Sequence, residues 1–588
     1  MSHRKITPLL SLILLLPLTS TARAAWSNDP AVNLSIADRT SEQVVPKVAS
    51  TSDGGCYVSW FDHASGNYDV YLQRLDSAGV EQWPHNGILV SDHPQNSSLV
   101  DWDLIADSAD QAVLVFSDAR DGSDLDIQAY RIDPSGGFTW GPDGLTLSAN
   151  DDYEPSPRVA EASDGDFVFV WARLPDASDG HIMMQRVAPD GTLRFTAGGV
   201  PIAGETGESP GFCDVVPAED GSVIVCWVRD ISTFFSPRHL RAEKFSSTGA
   251  SAWGAPTVVF DAYSLPIAYY PGIREDTSGG AIVWWHRSDG SMYNSFVQHL
   301  DADGNELFTH NGVAVSTVTT RHHIDPTLSY DPSSGEMRVF WNERNSAQSQ
   351  WGVYGQIISA GGARLWGDSG AVLLPVNTVY KLSIRSVPYG DGAMVFLIDE
   401  PTGTFGQDQV IGMRVDGNGD MVWPGSPILI SSTLSGKARL PITIDQNGTV
   451  VLIWEDDRAG TVDVYGQNVH PDGSLGAPAA SSPEGGAWPV SASVENLPNP
   501  FSRSTELVIR AGFPLEGRLL LISNGAGQLV RSLPLDSRAA GRVVLTWDGA
   551  DDHGRRLPAG TYFYRLSGGS GVDPVAAGPI SGKAVLVR

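Results

Sequence analysis

The chain has 588 residues, and its 68 acidic against 39 basic side chains give a formal charge of −29. That balance excludes a nucleic-acid binder, because phosphate contacts need a basic surface. Three cysteines do not make a disulfide framework, and the length exceeds one ordinary domain unless the fold is built from repeats.

Residues 1–24 read as an export signal outside the fold. Arg4 and Lys5 precede the apolar stretch at 9–18, and Ala22-Arg23-Ala24 is a small-residue cleavage site. The stretch is too short to span a bilayer, and no later segment is long enough. The expectation is a protein secreted or held at the cell surface, without a transmembrane helix.

From residue 26 to 478 one unit recurs. A polar turn leads into an apolar run ending in a bulky anchor, as in "SDGGCYVSW", "SDGDFVFVW", "EDGSVIVCW" and "QNGTVVLIW". The anchors Trp60, Phe116, Trp171, Trp227, Trp285, Trp341, Ile398 and Trp454 are spaced by 56, 55, 56, 58, 56, 57 and 56 residues. After each anchor come a polar loop, a strand such as "DVYLQRLD", and a Gly-containing hairpin turn such as "DSAG" or "HPDG". Seven units then carry an aromatic (Trp83, Trp140, Phe195, Trp253, Phe308, Trp366, Trp423) and a last short strand. Another short strand precedes each anchor hairpin. Four short strands per unit at a fixed period mark a β-propeller blade. A lone sheet of this kind cannot cover both faces, so blades stack and bury bulky residues between them. That assigns the anchors to packing.

The eighth unit stops at "HPDGSLGAP" without a final strand, and an orphan strand, "AVNLSIAD", precedes the first unit. Leu34 lies 26 residues before Trp60, the spacing at which Val90 precedes Phe116. The expectation is an all-β fold, an eight-bladed β-propeller over 26–478 closed by the N-terminal strand. Residues near 32–36 should pair beside residues near 463–469. Closure of that kind leaves no unpaired blade edge there.

Residues 479–494, rich in Ala, Ser, Pro and Gly, read as a linker. Residues 495–588 carry short alternating strands with turn signals, the pattern of a small β-sandwich. Asn499-Pro500-Phe501, "LISNGAGQLVRSL", "WDGADDHGRRLPAGTYFYRL" and the terminal "KAVLVR" follow in order. On these motifs the segment resembles the FlgD-type Ig-like domain, and it is similar to the C-terminal sorting domains read by the type IX secretion system. The resemblance implies an extracellular module that meets secretion machinery or the cell envelope, for export, attachment or display. The repeats themselves resemble uncharacterised repeats of large secreted bacterial proteins with the core D-[IV]-Y-x-Q-R-[LV]-D, a resemblance that implies no activity.

Loops between units hold Trp102, Tyr153, Tyr263, Tyr269, Tyr270 and His323, expected with the anchor loops on one face near a channel mouth. Aromatics in a polar rim suit the flat faces of a glycan or an extracellular protein partner, with loop packing as the alternative. After several anchors an acid is followed by Arg: Asp118 and Arg120, Asp456 and Arg458, Glu343 and Arg344. Their recurrence favours structural ion pairs. Ca2+ at Asp118, Asp121, Asp124 and Asp126 is the second reading, and no other cofactor is expected. His322 and His323 are adjacent and point opposite ways on a strand, which is poor metal geometry. Cys213 and Cys226 flank "AEDG" symmetrically, so a cross-strand disulfide and a pair of buried thiols are both open.

No serine-hydrolase, zinc-protease or nucleotide-binding motif occurs, and the sialidase Asp-box S-x-D-x-G-x-x-W is not matched. The leading expectation is an exported non-catalytic binding or scaffold protein. Its rival is a secreted carbohydrate-active enzyme, glycosidase- or lyase-like, with its site on the same loop face. Residues spread evenly over eight repeats read as architecture, whereas an enzyme breaks its repeat at one place.

Overall fold

The computed structural model describes residues 25–587 except 94–98, 121–124, 176–178, 205–206, 231–236, 268, 402, 478–491, 498–500, 512–517, 525–527, 536–540 and 567–580. The expected signal at 1–24 and most of the expected linker lie outside the described residues. The chain divides into two compact units, Met1–Pro478 and Ala479–Arg588.

The apolar runs that end in anchors become strands buried along their whole length, as in Cys56–Asp62 and Ala112–Asp118. A strand covered on both faces needs a sheet on either side. Among the described residues the first unit holds eight antiparallel sheets, numbered 1 to 8 here in chain order. Sheets 1 to 7 each comprise four consecutive strands; in sheet 1 these are Gln43–Ser50, Cys56–Asp62, Asp69–Leu75 and Ile88–Ser91. Sheet 8 has its first strand split into Lys437–Ala438 and Ile442–Ile444. Its fourth place is taken by Leu34–Ala37, with Leu34 opposite Gly466 and Ser35 opposite Tyr465. These repeated four-stranded sheets are those of a propeller-like all-β fold, and the short 3-10 turn Glu219–Gly221 is the one helical element among the described residues.

An apolar cluster lies between each sheet and the next, for example Val113, Val115 and Ile127 of sheet 2 against Phe167, Phe169 and Trp171 of sheet 3. Sheet 8 meets sheet 1 in the same way, with Ile36, Val451, Ile453 and Val464 against Val58 and Trp60. A second repeated contact staples the sheets together. The indole N–H of Trp140, Trp253, Trp366 and Trp423 donates to a carbonyl in the hairpin turn of the next sheet, at 3.1, 2.9, 2.9 and 2.8 Å. Sheet 8 lacks such an aromatic after its own hairpin turn. Trp26, just before Leu34–Ala37, fills the place: it packs on the hairpin turn of sheet 1, where Gly79 at φ 81° leaves room. A Cβ there would lie 2.6 Å from the indole, so a glycine is required. The displaced piece of the eighth unit is therefore an aromatic plus a strand.

Of the two readings open for Cys213 and Cys226, register selects the buried thiols over the disulfide. Cys213 and Cys226 are free and buried. The turn between the strands takes five residues, Ala218–Ser222, so pairing runs regularly from Pro217 opposite Val223 to Asp214, not Cys213, opposite Cys226. Cys213 then packs towards sheet 3 and Cys226 towards sheet 5, on opposite faces of one sheet, as a one-residue slip requires.

The second unit has a three-stranded sheet, Ala492–Leu497, Thr505–Ala511 and Gly541–Trp547. Its four-stranded sheet runs Leu529–Leu535, Arg518–Ser523, Gly560–Leu566 and Ser581–Leu586. Leu507 and Ile509 of one share a core with Leu520, Ile522 and Tyr562 of the other. Phe501, from the Asn-Pro-Phe motif, packs on Trp547 at 5.4 Å between ring centroids.

Candidate functional site

The acid–arginine motifs are mostly architecture. Asp118 pairs with Arg120 at 2.7 Å and Asp456 with Arg458 at 2.6 Å. Glu343 does not pair with Arg344. It accepts the Trp341 indole N–H at 2.8 Å and lies 3.6 Å from Arg321. Asp456 likewise accepts the Trp454 indole at 2.9 Å. These carboxylates satisfy indole donors that the sheet interfaces bury. Of the Ca2+ candidates, Asp121 and Asp124 lie outside the described residues, and Asp126 is buried and accepts the Asn150 N–H at 3.1 Å. Among the described residues no group of three or more His, Cys, Asp or Glu is arranged to hold a metal ion.

The aromatic candidates separate into three kinds. Trp102 and His323 are not on an exposed face. Trp102 is fully buried, donates to the Val45 carbonyl at 3.1 Å and stacks on Phe61. His323 is buried against Trp341, 3.4 Å from Glu343, and burial pushes its pKa down to about 4. Tyr153 and Tyr263 are exposed, the latter under the Arg287 guanidinium at 4.0 Å. Tyr269 and Tyr270 are half-buried and belong to a larger constellation.

That constellation sits on, or within two residues of, the first strands of the sheets, the edge along which successive sheets adjoin. Each unit has one position there, 15 residues before its anchor (16 in sheet 6): Val45, Asp101, Ser156, Phe212, Tyr270, Asp325, Ser383 and Arg439. Six of the eight have left-handed backbone: Val45 at φ 53°, Ser156 at 57°, Phe212 at 51°, Asp325 at 52°, Ser383 at 51° and Arg439 at 47°. Such a conformation is costly for residues with a Cβ, and most so for valine. The pairing register slips at this point in sheets 1, 4, 6 and 7, so the strained residue is part of a bulge that re-aims the strand.

Side chains at and just after these positions join across sheets. Asp101 accepts Lys47 of sheet 1 at 2.8 Å and Arg158 of sheet 3 at 2.6 Å. Tyr270 of sheet 5 donates to Ser156 Oγ of sheet 3 at 2.7 Å, bridging past sheet 4. Phe212 of sheet 4 meets the Tyr270 ring edge-on at 4.9 Å, and Arg158 lies over that ring at 5.1 Å. Burial opposes ionisation of Asp101, but Lys47 and Arg158 outweigh it and hold the carboxyl well below its usual range. Asp214 has the reverse balance: burial, with Asp103 adding to it, pushes it up to about 6 despite Arg158. A carboxyl tuned that close to neutrality can give or take a proton under ordinary conditions.

Sheets 5 to 8 bring a more open set. Asp325 exposes 61% of its side chain and lies 3.7 Å from His286. The Asp325 backbone N–H donates to His286 Nδ1 at 3.1 Å, which leaves the proton of the neutral ring on Nε2. Burial pushes the His286 pKa down to about 4, with Arg344 adding and Asp325 opposing. Tyr269 accepts the His286 backbone N–H at 3.0 Å and packs on its ring. Arg439 lies 3.4 Å from Glu455, whose carboxylate also takes the Val45 N–H at 2.7 Å.

Sequence reasoning found Tyr269 and Tyr270 but missed their partners on the first strands. The available signal was a proline directly after Val45, Ser156, Tyr270 and Asp325. A proline there removes a ladder donor at the same place in four units.

Comparison with solved structures returns several carbohydrate enzymes at low scores. An α-L-arabinofuranosidase from Fusarium graminearum, in complex with an iminosugar inhibitor, is 10% identical over 74% of this chain and 97% of that one, with a TM-score of 0.33. An ulvan lyase of a new polysaccharide lyase family is 9% identical over 75% and 96%, with a TM-score of 0.42. An endo-arabinase from Bacteroides thetaiotaomicron is 14% identical over 46% and 94%, with a TM-score of 0.25. At these values no residue role transfers. A search of curated proteins finds no match. Near the C-terminus, residues 516–571 match the family model of the FlgD Ig-like domain, so the second unit carries a FlgD-type Ig-like domain.

Proposed function

We propose that this is an exported carbohydrate-active protein, a closed eight-bladed propeller whose first strands line a channel with the ligand site at its mouth. Closure is supported by the apolar cluster between sheets 8 and 1 and by the pairing of Leu34–Ala37 in sheet 8. The C-terminal Ig-like domain serves export, surface attachment or display.

One observation carries the assignment of the site. The anchors, the hairpin turns and most of the post-turn aromatics repeat, but the eight corresponding positions hold Val, Asp, Ser, Phe, Tyr, Asp, Ser and Arg. Packing asks for the same residue type in each blade. A shared backbone position, left-handed in six of the eight units and presenting six different side-chain types, is what a ligand site asks for. The mixture of Phe212 and Tyr270 faces with Asp, Ser and Arg groups suits a saccharide, which offers flat apolar faces ringed by hydroxyls.

The break in the repeat favours an enzyme over a passive scaffold. Tyr270, His286, Asp214 and Asp325 are the groups at the mouth able to move a proton. A polysaccharide panel read for binding and product release together tests the reading. Product release lost in Tyr270→Phe, Asp214→Asn or Asp325→Asn supports catalysis. Binding without release returns the protein to the scaffold reading, and neither binding nor release in any member refutes the carbohydrate assignment.

A further inference from the structure

The two halves of the mouth differ in charge compensation. On sheets 1 to 4 four cations hold acids: Lys47 and Arg158 share Asp101, Arg173 holds Asp152 at 2.6 Å, and Arg229 holds Glu208. On sheets 6 and 7 Lys381 still holds Asp399 at 2.6 Å and Arg321 lies 3.6 Å from Glu343, but two arginines lack such an acid. Arg344 makes hydrogen bonds only to neutral oxygens, Asn342 Oδ1 at 2.7 Å and Gln348 Oε1 at 3.3 Å. Arg385, two residues past the strained Ser383, bonds only to the Ile384 carbonyl at 2.9 Å. No ion pair within 4.0 Å forms at either among the described residues.

The two arginines belong to one place. Asn342, which holds the Arg344 guanidinium, also donates to the Lys381 carbonyl at the start of the strand that carries Arg385. Asp325 is the acid that acts electrostatically on both, and it leans towards His286 rather than pairing with either. Arg344 is half-buried and burial disfavours its charge, with Asp325 opposing, whereas Arg385 is exposed. A chain with 68 acids and 39 bases has acids to spare, so two arginines without a partner beside the mouth are unusual. Guanidinium groups with free donors match the bidentate geometry of a carboxylate or sulfate.

We propose that Arg344 and Arg385 form an anion subsite, and that the glycan is acidic, its carboxylate or sulfate ester seated on these two side chains. This rests on the channel-mouth reading and names its substrate class. Asp325 then acts as the selectivity element: it would repel an anion placed on its own side and confine it to the two arginines.

The test uses the full chain and pairs of oligosaccharides matched in length. One pair is oligogalacturonate and its carboxyl-reduced form; the other is a sulfated oligosaccharide and its desulfated form. The expected result is at least tenfold tighter binding of one acidic member over its neutral twin. That ratio should fall towards one in Arg385→Ala and Arg344→Ala, with a shallower salt dependence, and stay unchanged in the control Arg364→Ala. Whichever pair shows the preference identifies the anion. If neutral and acidic twins bind alike in the wild type, or both variants keep the preference, the anion subsite is wrong while the glycan site stands. If no oligosaccharide binds, both fail. Arg385→Lys separates charge from geometry: partial retention of the ratio is expected from a cation that lacks the bidentate fork.

Discussion

Removing the His85 cation should loosen the N-terminal strand in a pH-dependent way. His85 Nδ1 meets Glu81 at 2.8 Å and Nε2 meets Asp38 at 3.0 Å, and the Asp38 N–H donates to Asn86 at 2.8 Å. Asp38 directly follows Leu34–Ala37, so the imidazole ties that strand to sheet 1. The hydrogen bond to Glu81, against the cost of burial and with Asp38 helping, raises the His85 pKa to about 9. The folded-state value lies above the unfolded one of about 6.5, so the stabilisation is fully present below about 6.5 and lost as pH rises through about 9. His85 exposes 45% of its side chain, so solvent screening reduces the contribution to about 1 kcal/mol. That equals about a fivefold change in local opening. Hydrogen–deuterium exchange of residues 34–38, expressed as protection relative to intrinsic rates, should show the wild type about fivefold better protected at pH 6 than at pH 9.5. His85→Gln should be nearly flat across that range. The same pH dependence in both proteins would refute the latch. His310 bridges Glu306 and Asp261 at 2.9 and 3.1 Å in the same arrangement between sheets 4 and 5, which provides an internal control in the same experiment.

Two further predictions concern the first unit's interior. Asp456→Ala strips the fully buried Lys437 ammonium of the acid 3.2 Å away and orphans the Trp454 indole. Chemical denaturation should show a loss of about 3–5 kcal/mol, as for other broken buried pairs, and Asp456→Asn should lose less. The cysteines should titrate as three free thiols after denaturation without reductant, with a melting temperature unchanged by reductant. A count of one thiol would restore the disulfide.

The repeat was legible because its period survives in the anchors, and Ile398 is recognisable only by spacing. The N-terminal strand was legible by counting strands against anchors. Its companion Trp26 was not, because the other seven aromatics follow a hairpin turn of their own unit, whereas Trp26 stands at the start of the propeller segment with no such turn before it. The site was half legible. Tyr269 and Tyr270 stand out as aromatics in a polar loop, but Trp102 and His323 do so equally and are buried. The difference lies in packing: Trp102 stacks on Phe61 and His323 lies against Trp341, while Tyr269 and Tyr270 stay half-buried. Left-handed Phe212 or Arg439 leaves no mark in a sequence that prefers glycine at such angles. The two cysteines do not face each other because the turn spans five residues, Ala218–Ser222, rather than the four of "AEDG", which moves the register by one residue.

The strained positions also bear on where a ligand would sit. Each left-handed residue costs of order 1–3 kcal/mol, and the same cost recurs in six units while the side chains differ. The backbone device is therefore common property of the unit, and the chemistry is assigned blade by blade. On sheets 1 to 5 the side chains already satisfy one another, through Lys47–Asp101–Arg158 and Tyr270–Ser156. A ligand entering there would have to break charge-assisted bonds made in a partly dry setting, where they are strong. On sheets 6 to 8 Asp325 and Arg439 remain exposed and Arg344 and Arg385 lack acids. The desolvation of half-buried Arg344 has in part been incurred in folding, so a ligand anion gains that interaction with less of the usual cost. The satisfied half then serves as a rigid wall with an aromatic face at Tyr270, and the open half supplies the binding charge.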